Sequence, residues 1–284
     1  MAGVFEMARK IVTHGGEPHL DEILSVAMVL AHDPEVDIIE RRNPCEEDFE
    51  DPEIWVLDQG GRVEPELRNF DHHHMACGVQ ECTLSLLADH LAISDYLKRL
   101  PWFNIVVQMD SLGPYKAAEL YGCSADVIRA IYTPFAEFFL FQFKDVVKLI
   151  SDDQLFIDLK AMGVNTMSYY HREQKRLTLL REKSEIIRMG QTDVIIFLEN
   201  VDEPSMALHS FASEKGISGG IALVIDERNP GWCLKRLFED PAIDLHRIDG
   251  DPRVIFAHTS GFIAKIRKVE RSDIEELITR SRVS

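Results

Sequence analysis

Short apolar runs that each end on polar, chemistry-bearing residues constrain the first half of this chain more than any other feature. Lys10-Ile11-Val12-Thr13, Val36 to Glu40, Ile54-Trp55-Val56-Leu57 and Leu67 to Phe70 read as strands. Asp21 to His32 reads as a helix that sets Ile23, Leu24, Ala27, Met28 and Ala31 on one face. Further helices are expected over Glu81 to Leu91 and Ser124 to Leu140. Strands alternating with helices imply an α/β domain whose sheet is mostly parallel, with helices on both faces.

From Ser168 to Met189 the charges of Arg172, Glu173, Lys175, Arg176, Arg181, Glu182, Lys183 and Glu185 fall at helical spacing. This predicts a long, mostly solvated connecting helix with few apolar anchors to either side. A smaller α/β unit is expected beyond it. Its strands are Val194 to Leu198, Ile221 to Ile225, Trp232 to Leu237 and Val254 to Ala257, and its helices Ser205 to Lys215 and Ser272 to Ser281. The expected division is a domain over 1–165, a helical linker over 166–190 and a C-terminal domain over 191–284.

Charge narrows the partners. The 284 residues carry a formal net charge of −17. Residues 228–284 hold 11 basic and 9 acidic side chains, whereas residues 1–227 hold 20 and 39, so the surplus lies upstream. A broad basic footprint for duplex DNA or an anionic membrane is thereby disfavoured. No apolar run is long enough to span a bilayer, and Met1 to Lys10 lacks the apolar stretch of a signal peptide. Cys45, Cys77, Cys82, Cys123 and Cys233 are odd in number and form no C-x-x-C pair. That pattern suits reduced thiols in a cytoplasmic protein.

Three clusters carry chemistry: His14, His19, Asp21 and Glu22 after the first strand, Asp58-Gln59-Gly60-Gly61 after the buried one, and Asp71-His72-His73-His74 after the next. Taken singly, each has a plainer account as a helix cap, a turn or a solvated loop tip. Together they follow strand ends in chain order, and in a parallel sheet those ends share one rim. Aspartate with neutral imidazole suits Mn²⁺, Fe²⁺, Co²⁺ or Zn²⁺ better than Ca²⁺, and this many donors fits a two-metal centre for phosphoryl chemistry. A structural zinc site is disfavoured by the lack of paired cysteines.

The series Thr13-His14-Gly15-Gly16-Glu17-Pro18-His19-Leu20-Asp21-Glu22, Asp58-Gln59-Gly60-Gly61 and Phe70-Asp71-His72-His73 resembles the DHH phosphoesterase superfamily. That superfamily includes manganese pyrophosphatases, RecJ-type exonucleases and oligoribonucleases. Within it the chain is most similar to the melanocyte proliferating gene family, in which a His stands where the typical motif has its first Asp, as His19 does here. Asp110, in Gln108-Met109-Asp110-Ser111-Leu112-Gly113, matches a fourth family position, and His258-Thr259-Ser260-Gly261-Phe262-Ile263 matches a segment near the C-terminus. Glu17-Pro18, the Ser-Leu-Gly after Asp110 and the extra imidazole of His74 depart from the family pattern.

The resemblance implies a two-domain DHH-type fold with two divalent metal ions, Mn²⁺ first and Mg²⁺, Co²⁺, Fe²⁺ or Zn²⁺ as substitutes. His14, His19 and Asp58 would bind one ion, and Asp21, His72 and Asp110 the other, with Asp58 bridging. His73 would donate to the scissile phosphate, Asp71 would orient a neighbouring imidazole, and His258, Ser260 and Gly261 would bind substrate in the C-terminal domain. The implied activity is 3′–5′ exonuclease-like hydrolysis of short single-stranded RNA or DNA, with a small-molecule nucleotide phosphatase or pyrophosphatase as the alternative. A non-catalytic nucleotide-binding module would be marked by a missing ligand, and here six candidates are present.

Three further features have two accounts each. Gly216-Ile217-Ser218-Gly219-Gly220 offers N–H groups to a phosphate or caps a helix. Lys265, Arg267, Lys268 and Arg271 draw in a phosphate chain or form a solvated edge. The stripe Phe135, Phe138, Phe139, Phe141 and Phe143 reads as core or homodimer contact ahead of a base-stacking platform.

Overall fold

Strand β1 (Arg9–Thr13) opens a computed structural model that describes residues 9–76, 78–130, 133–200, 205–226 and 230–283. It leads into α1 (Leu20–His32), β2 (Val36–Arg41), the short α2 (Glu46–Glu50), β3 (Ile54–Leu57), β4 (Val63–Glu64) and β5 (Asn69–Phe70). Helices α3 (Thr83–His90), α4 (Ser94–Leu97), α5 (Pro101–Leu112), α6 (Pro114–Leu120), α7 (Ala125–Arg129) and α8 (Pro134–Lys144) follow, and then β6 (Lys148–Ile150). The sheet order is β4-β5-β3-β1-β2-β6. The four middle strands run parallel, while β4 and β6 lie antiparallel at the edges.

Register is what matters for function. Thr13 pairs with both Arg41 and Leu57, and Leu57 pairs with Phe70. The strands β1, β3 and β5 therefore end in one row, and His14, Asp58 and Asp71 leave the sheet side by side. Alternation along the strands covers both faces. Val12, Ile54 and Val56 pack with Phe49 of α2. On the opposite face the Trp55 indole donates to Asp33, just past the end of α1, at 3.0 Å.

The expected helix over Ser124 to Leu140 is two helices, because Pro134 has no N–H to continue one and starts another instead. Ser124 caps α7 through the Val127 N–H and Thr133 caps α8 through the Ala136 N–H. Residues 131–132 between them lie outside the described residues. Of the phenylalanine stripe only Phe143 is core. Phe135, Phe138 and Phe141 are exposed.

The charged helix also departs from expectation. It runs as α9 (Gln154–Lys183) and gives way to β7 (Glu185–Met189), which pairs antiparallel with β8 (Thr192–Phe197) across Gly190-Gln191. Gly190 takes the positive φ of 62° that such a tight hairpin needs. Nor is α9 weakly anchored: Phe156, Leu159, Leu177 and Leu180 are all buried. By compactness the chain divides into residues 1–170 and 171–284, and α9 crosses that division.

In the second unit come α10 (Ser205–Glu214), β9 (Gly220–Ile225), β10 (Trp232–Leu237), β11 (Val254–Ala257), β12 (Ile263–Ile266) and α11 (Arg271–Arg280). Its sheet order is β11-β12-β10-β9-β8-β7, with β8 and β9 the parallel pair. Ile195, Phe197, Ala222 and Val224 face Leu177, Leu180 and α10, whereas Val194, Ile221 and Leu223 face Ile274 and Leu277 of α11. Gly216 ends α10 with φ 71°, and the Ile217 N–H returns to the Ala212 carbonyl at 2.9 Å. That segment is a helix C-cap. Lys265 is paired with Asp226 at 2.8 Å and Arg271 with Glu185 at 3.4 Å.

Among the described residues no helix is long and apolar enough to cross a membrane. Cys45, Cys82, Cys123 and Cys233 form no disulfide among the described residues, and Cys77 lies outside them.

Gly163 of α9 marks a close helix contact, since a Cβ there would sit 1.8 Å from the Ala27 carbonyl oxygen of α1. Gly163→Ala is expected to cost about 1–3 kcal/mol of stability despite the better helix propensity of alanine. A urea midpoint equal to or above the parent value would show that α1 and α9 do not meet this closely.

Candidate metal centre

The row of strand ends delivers its side chains to one point. His14 leaves β1 with Nε2 3.2 Å from both an Asp58 oxygen and a Glu22 oxygen. His19 precedes α1, and its N–H reaches the Glu22 carboxylate at 3.4 Å, which sets Asp21 and Glu22 in the first helical turn. Negative charge is favoured at that helix end. Glu22 is fully buried and held by Thr13 Oγ1 at 2.8 Å and by the guanidinium of Arg41 at 3.4 Å.

Asp58 follows β3 with φ 59°, a left-handed conformation that costs energy for a residue with a Cβ and recurs where a side chain is aimed for function. Two glycines follow Gln59, also at positive φ, and a Cβ on Gly60 would collide with the Phe49 ring. Thr83 Oγ1 donates to Asp58 at 2.9 Å. His72 Nδ1 meets the Glu81 carbonyl at 3.1 Å, leaving Nε2 3.0 Å from Asp110 and 3.8 Å from Asp58. Asp110 comes from α5, and His19 Nδ1 lies 3.7 Å from it. Asp71 accepts the Gly61 N–H at 2.6 Å and His73 Nδ1 at 2.6 Å.

Three overlapping groups of metal-ligating atoms result: His14, His19 and Asp58; His19, Asp21 and Asp110; and Asp58, Asp71, His72 and His73. All six residues expected to bind metal thus fall in one place. His74 is exposed and belongs to none of the groups. His258, Ser260 and Gly261 form the turn between β11 and β12 in the second unit, where the Ser260 N–H donates to His258 Nδ1 at 3.0 Å. Glu22, Arg41 and Thr83 support the site although the sequence motifs give them no role of their own. For Arg41 the signal is an arginine closing a strand on the same rim.

The donor set fits a cation. Both oxygens of Asp21, one each of Asp58 and Asp110, and Nε2 of His72 are buried and make no hydrogen bond. Buried polar atoms without partners are costly, and carboxylates this close repel. Burial first, and then the Asp58 and Asp110 charges, push the Asp21 carboxyl well above the carboxylate range. Burial and Asp58 raise Asp110 in the same way. The carboxylates of Asp58 and then Glu22, each 3.2 Å from its Nε2, push His14 up to about 11. These shifts favour protons on the groups, and a divalent cation would compete with those protons.

Two cavities flank the centre and share His19 and Asp110. One, of about 530 Å³, is lined also by Asp21, Val106, Met109, Pro114, Arg129 and Glu137. The other, of about 260 Å³, is lined by His72, His73 and Met75 among others.

Residues 10–80, which hold all three clusters, match the family model MYG1_exonuc, described as Uncharacterised protein family (UPF0160). The sequence resemblance is borne out over that segment. No curated protein matches the chain. Among solved structures it is similar to the pGpG-specific phosphodiesterase PggH from Vibrio cholerae, at 11% identity over 96% of this chain and 97% of that one, TM-score 0.30. It is similar to RecJ in complex with Mn²⁺ from Thermus thermophilus, at 14% identity over 96% of this chain and 51% of that one, TM-score 0.29. A putative family II inorganic pyrophosphatase from Methanococcus jannaschii matches at 12% identity over 95% and 99% of the two chains, TM-score 0.25. Scores of this size establish neither a shared fold nor a shared activity. The chain spans about half the length of RecJ.

The raised proton affinities of His14, Asp21 and Asp110 predict that Mn²⁺ uptake releases protons and strengthens as pH rises. Calorimetric titration in buffers of different ionisation enthalpy is expected to give different apparent heats. Identical heats would mean that these groups bind no metal.

Proposed function

We propose that the chain hydrolyses phosphodiester bonds of short single-stranded RNA or DNA in a 3′–5′ exonuclease-like manner. The support comes from one observation above all: buried carboxylate oxygens of Asp21, Asp58 and Asp110, without hydrogen-bond partners, facing imidazoles from the loops behind β1 and β5. His14, His19 and Asp58 would hold one divalent ion and Asp21, His72 and Asp110 a second, with Asp58 shared between them. Mn²⁺ is the first candidate, and the pair would supply Lewis acidity for activating water and neutralising phosphate.

The remaining work falls to the side chains themselves. Asp71 holds His73 by Nδ1, which turns Nε2 outward as the donor to a phosphate oxygen. Burial opposes the imidazolium of His73, but the Asp71 hydrogen bond and nearby carboxylates outweigh it and raise its proton affinity. That shift favours the protonated ring, the form that can donate. Thr83, Glu22 and the Glu81 carbonyl orient Asp58, His14 and His72. Residues 1–165 would form the catalytic domain, 166–190 the helical linker and 191–284 the substrate-binding domain, where His258, Ser260 and Gly261 engage a phosphate or nucleotide. A reduced, cytoplasmic setting fits cysteines that form no disulfide among the described residues, and exposed Phe135, Phe138 and Phe141 fit a homodimer.

The charge of −17 favours a second reading, a small-molecule nucleotide phosphatase or pyrophosphatase, because a small substrate needs no electrostatic track. Mn²⁺-supplemented protein is expected to cleave short oligonucleotides with a steep dependence of affinity on log salt, a polymer signature. A shallow slope with turnover of mononucleotides or pyrophosphate would favour the second reading, and release of nothing from any of them would defeat both.

Asp58→Ala is expected to abolish turnover and lower bound metal well below two ions per chain, read by elemental analysis. Unchanged metal content would remove Asp58 from the site.

A further inference from the structure

Arg41 closes β2 with its side chain wholly buried, whereas its neighbour Arg42 is part-exposed and pairs with Glu40 and Asp48. A buried guanidinium is costly unless its donors are met, and this one reaches four acceptors on three segments. Nε lies 3.4 Å from a Glu22 oxygen at the start of α1, and Nη2 donates to the Gly16 carbonyl at 3.1 Å. Nη1 donates to the Phe143 and Lys144 carbonyls at 2.6 and 3.1 Å. Those carbonyls end α8, where the negative pole of the helix favours a cation. The guanidinium also sits over the Phe143 ring, 4.6 Å from its centroid.

Gly16 is in the middle of the loop that carries His14 and His19. That loop has little of its own to hold it. Gly15, Gly16 and Glu17 are exposed, Gly16 has a φ of 93°, and Pro18 is the one buried residue between the two histidines. Glu17 meets Lys144 Nζ at 2.7 Å, but both side chains lie largely in solvent, where such a pair contributes little. Asp21 and Glu22 stand differently. They belong to α1, which buries Ile23, Val26, Ala27 and Leu30 and keeps its place by packing. Nor does Arg41 bond to His72 or Asp110. Loss of the guanidinium therefore frees the loop before it frees the helix.

We propose that Arg41 is a positioning residue for one of the two ions. It clamps the loop of His14 and His19 against the end of α8, and leaves the position of Asp21, His72 and Asp110 to other supports. The inference rests on the two-ion reading above and deepens it, since the two positions have different holders. Lysine in its place would keep the charge beside Glu22. Its donors all radiate from a single nitrogen, which cannot span Gly16, Glu22 and the α8 carbonyls together.

Arg41→Lys is the test, read first on the metal-free full chain by amide hydrogen exchange. Exchange over residues 14–19 is expected to speed up while β1, β3 and α1 keep parent rates. Calorimetric titration of the same variant with Mn²⁺ is expected to show one of two binding steps weakened about ten- to hundredfold, the range for losing a group that orients a ligand. The other step is expected to stay at its parent value. Lys144→Ala is expected to change neither readout. Unchanged exchange, faster exchange throughout the first unit, or equal weakening of both steps overturns the clamp. So does a Lys144→Ala effect as large as that of Arg41→Lys. The two readings fail separately. A parent chain that binds fewer than two ions, while Arg41→Lys loosens residues 14–19 alone, removes the two-ion reading and keeps the clamp. Two ions bound at parent affinity by Arg41→Lys remove the clamp and keep the two-ion reading.

Discussion

Like charges forced together at the ends of parallel strands are the constraint on which the N-terminal unit turns. Asp21, Asp58 and Asp110 are drawn from a helix start, a strand end and a distant helix, yet the charge of Asp58 lies close enough to raise the proton affinity of both Asp21 and Asp110. Such an arrangement is unfavourable for a protein alone, because burial removes the water that would screen it. It persists when surrounding structure holds each group in place and a cation relieves the repulsion. Much of the neighbourhood does that holding: Thr83 fixes Asp58, the Glu81 carbonyl fixes His72, and Arg41 with Thr13 fixes Glu22, which in turn meets His14. Asp58 itself accepts a left-handed backbone to reach the site.

This local chemistry also bears on the conflict between the net charge and the proposed phosphate substrate. A protein at −17 repels polyanions at long range, and its acidic surplus lies in the same residues that build the site. At short range the sign can reverse, since bound divalent ions would be the largest charges present. Arg129 adds a fixed positive group on one side of the centre, and His73 adds a donor beside the other cavity.

The first half of the sheet was legible because its information is local. The runs at Lys10, Val36 and Ile54 each became a strand within one residue of expectation, and the polar clusters behind them fell on one rim because parallel strands share a direction. Errors arose where a breaker or a distant contact decides. Pro134 divides what helical periodicity joined. Gly190 turns the end of the charged stretch into a hairpin, and the stripe of phenylalanines, helical in spacing, is mostly exposed. The small helices α4, α5 and α6 leave little trace in the sequence, since their apolar residues pack against other helices without a clean amphipathic stripe.

By itself the sequence determined the donor types, their order and their placement after strands, because these depend on residues within a few positions of one another. It also carried the family resemblance over residues 10–80. Only the tertiary structure decided that Asp110 on α5 meets His72 and His19, that Glu22 is tied to Arg41, and that Arg129 lines a cavity reaching the centre. Those contacts join elements far apart in the chain, through packing of surfaces whose complementarity is written in no single stretch of residues.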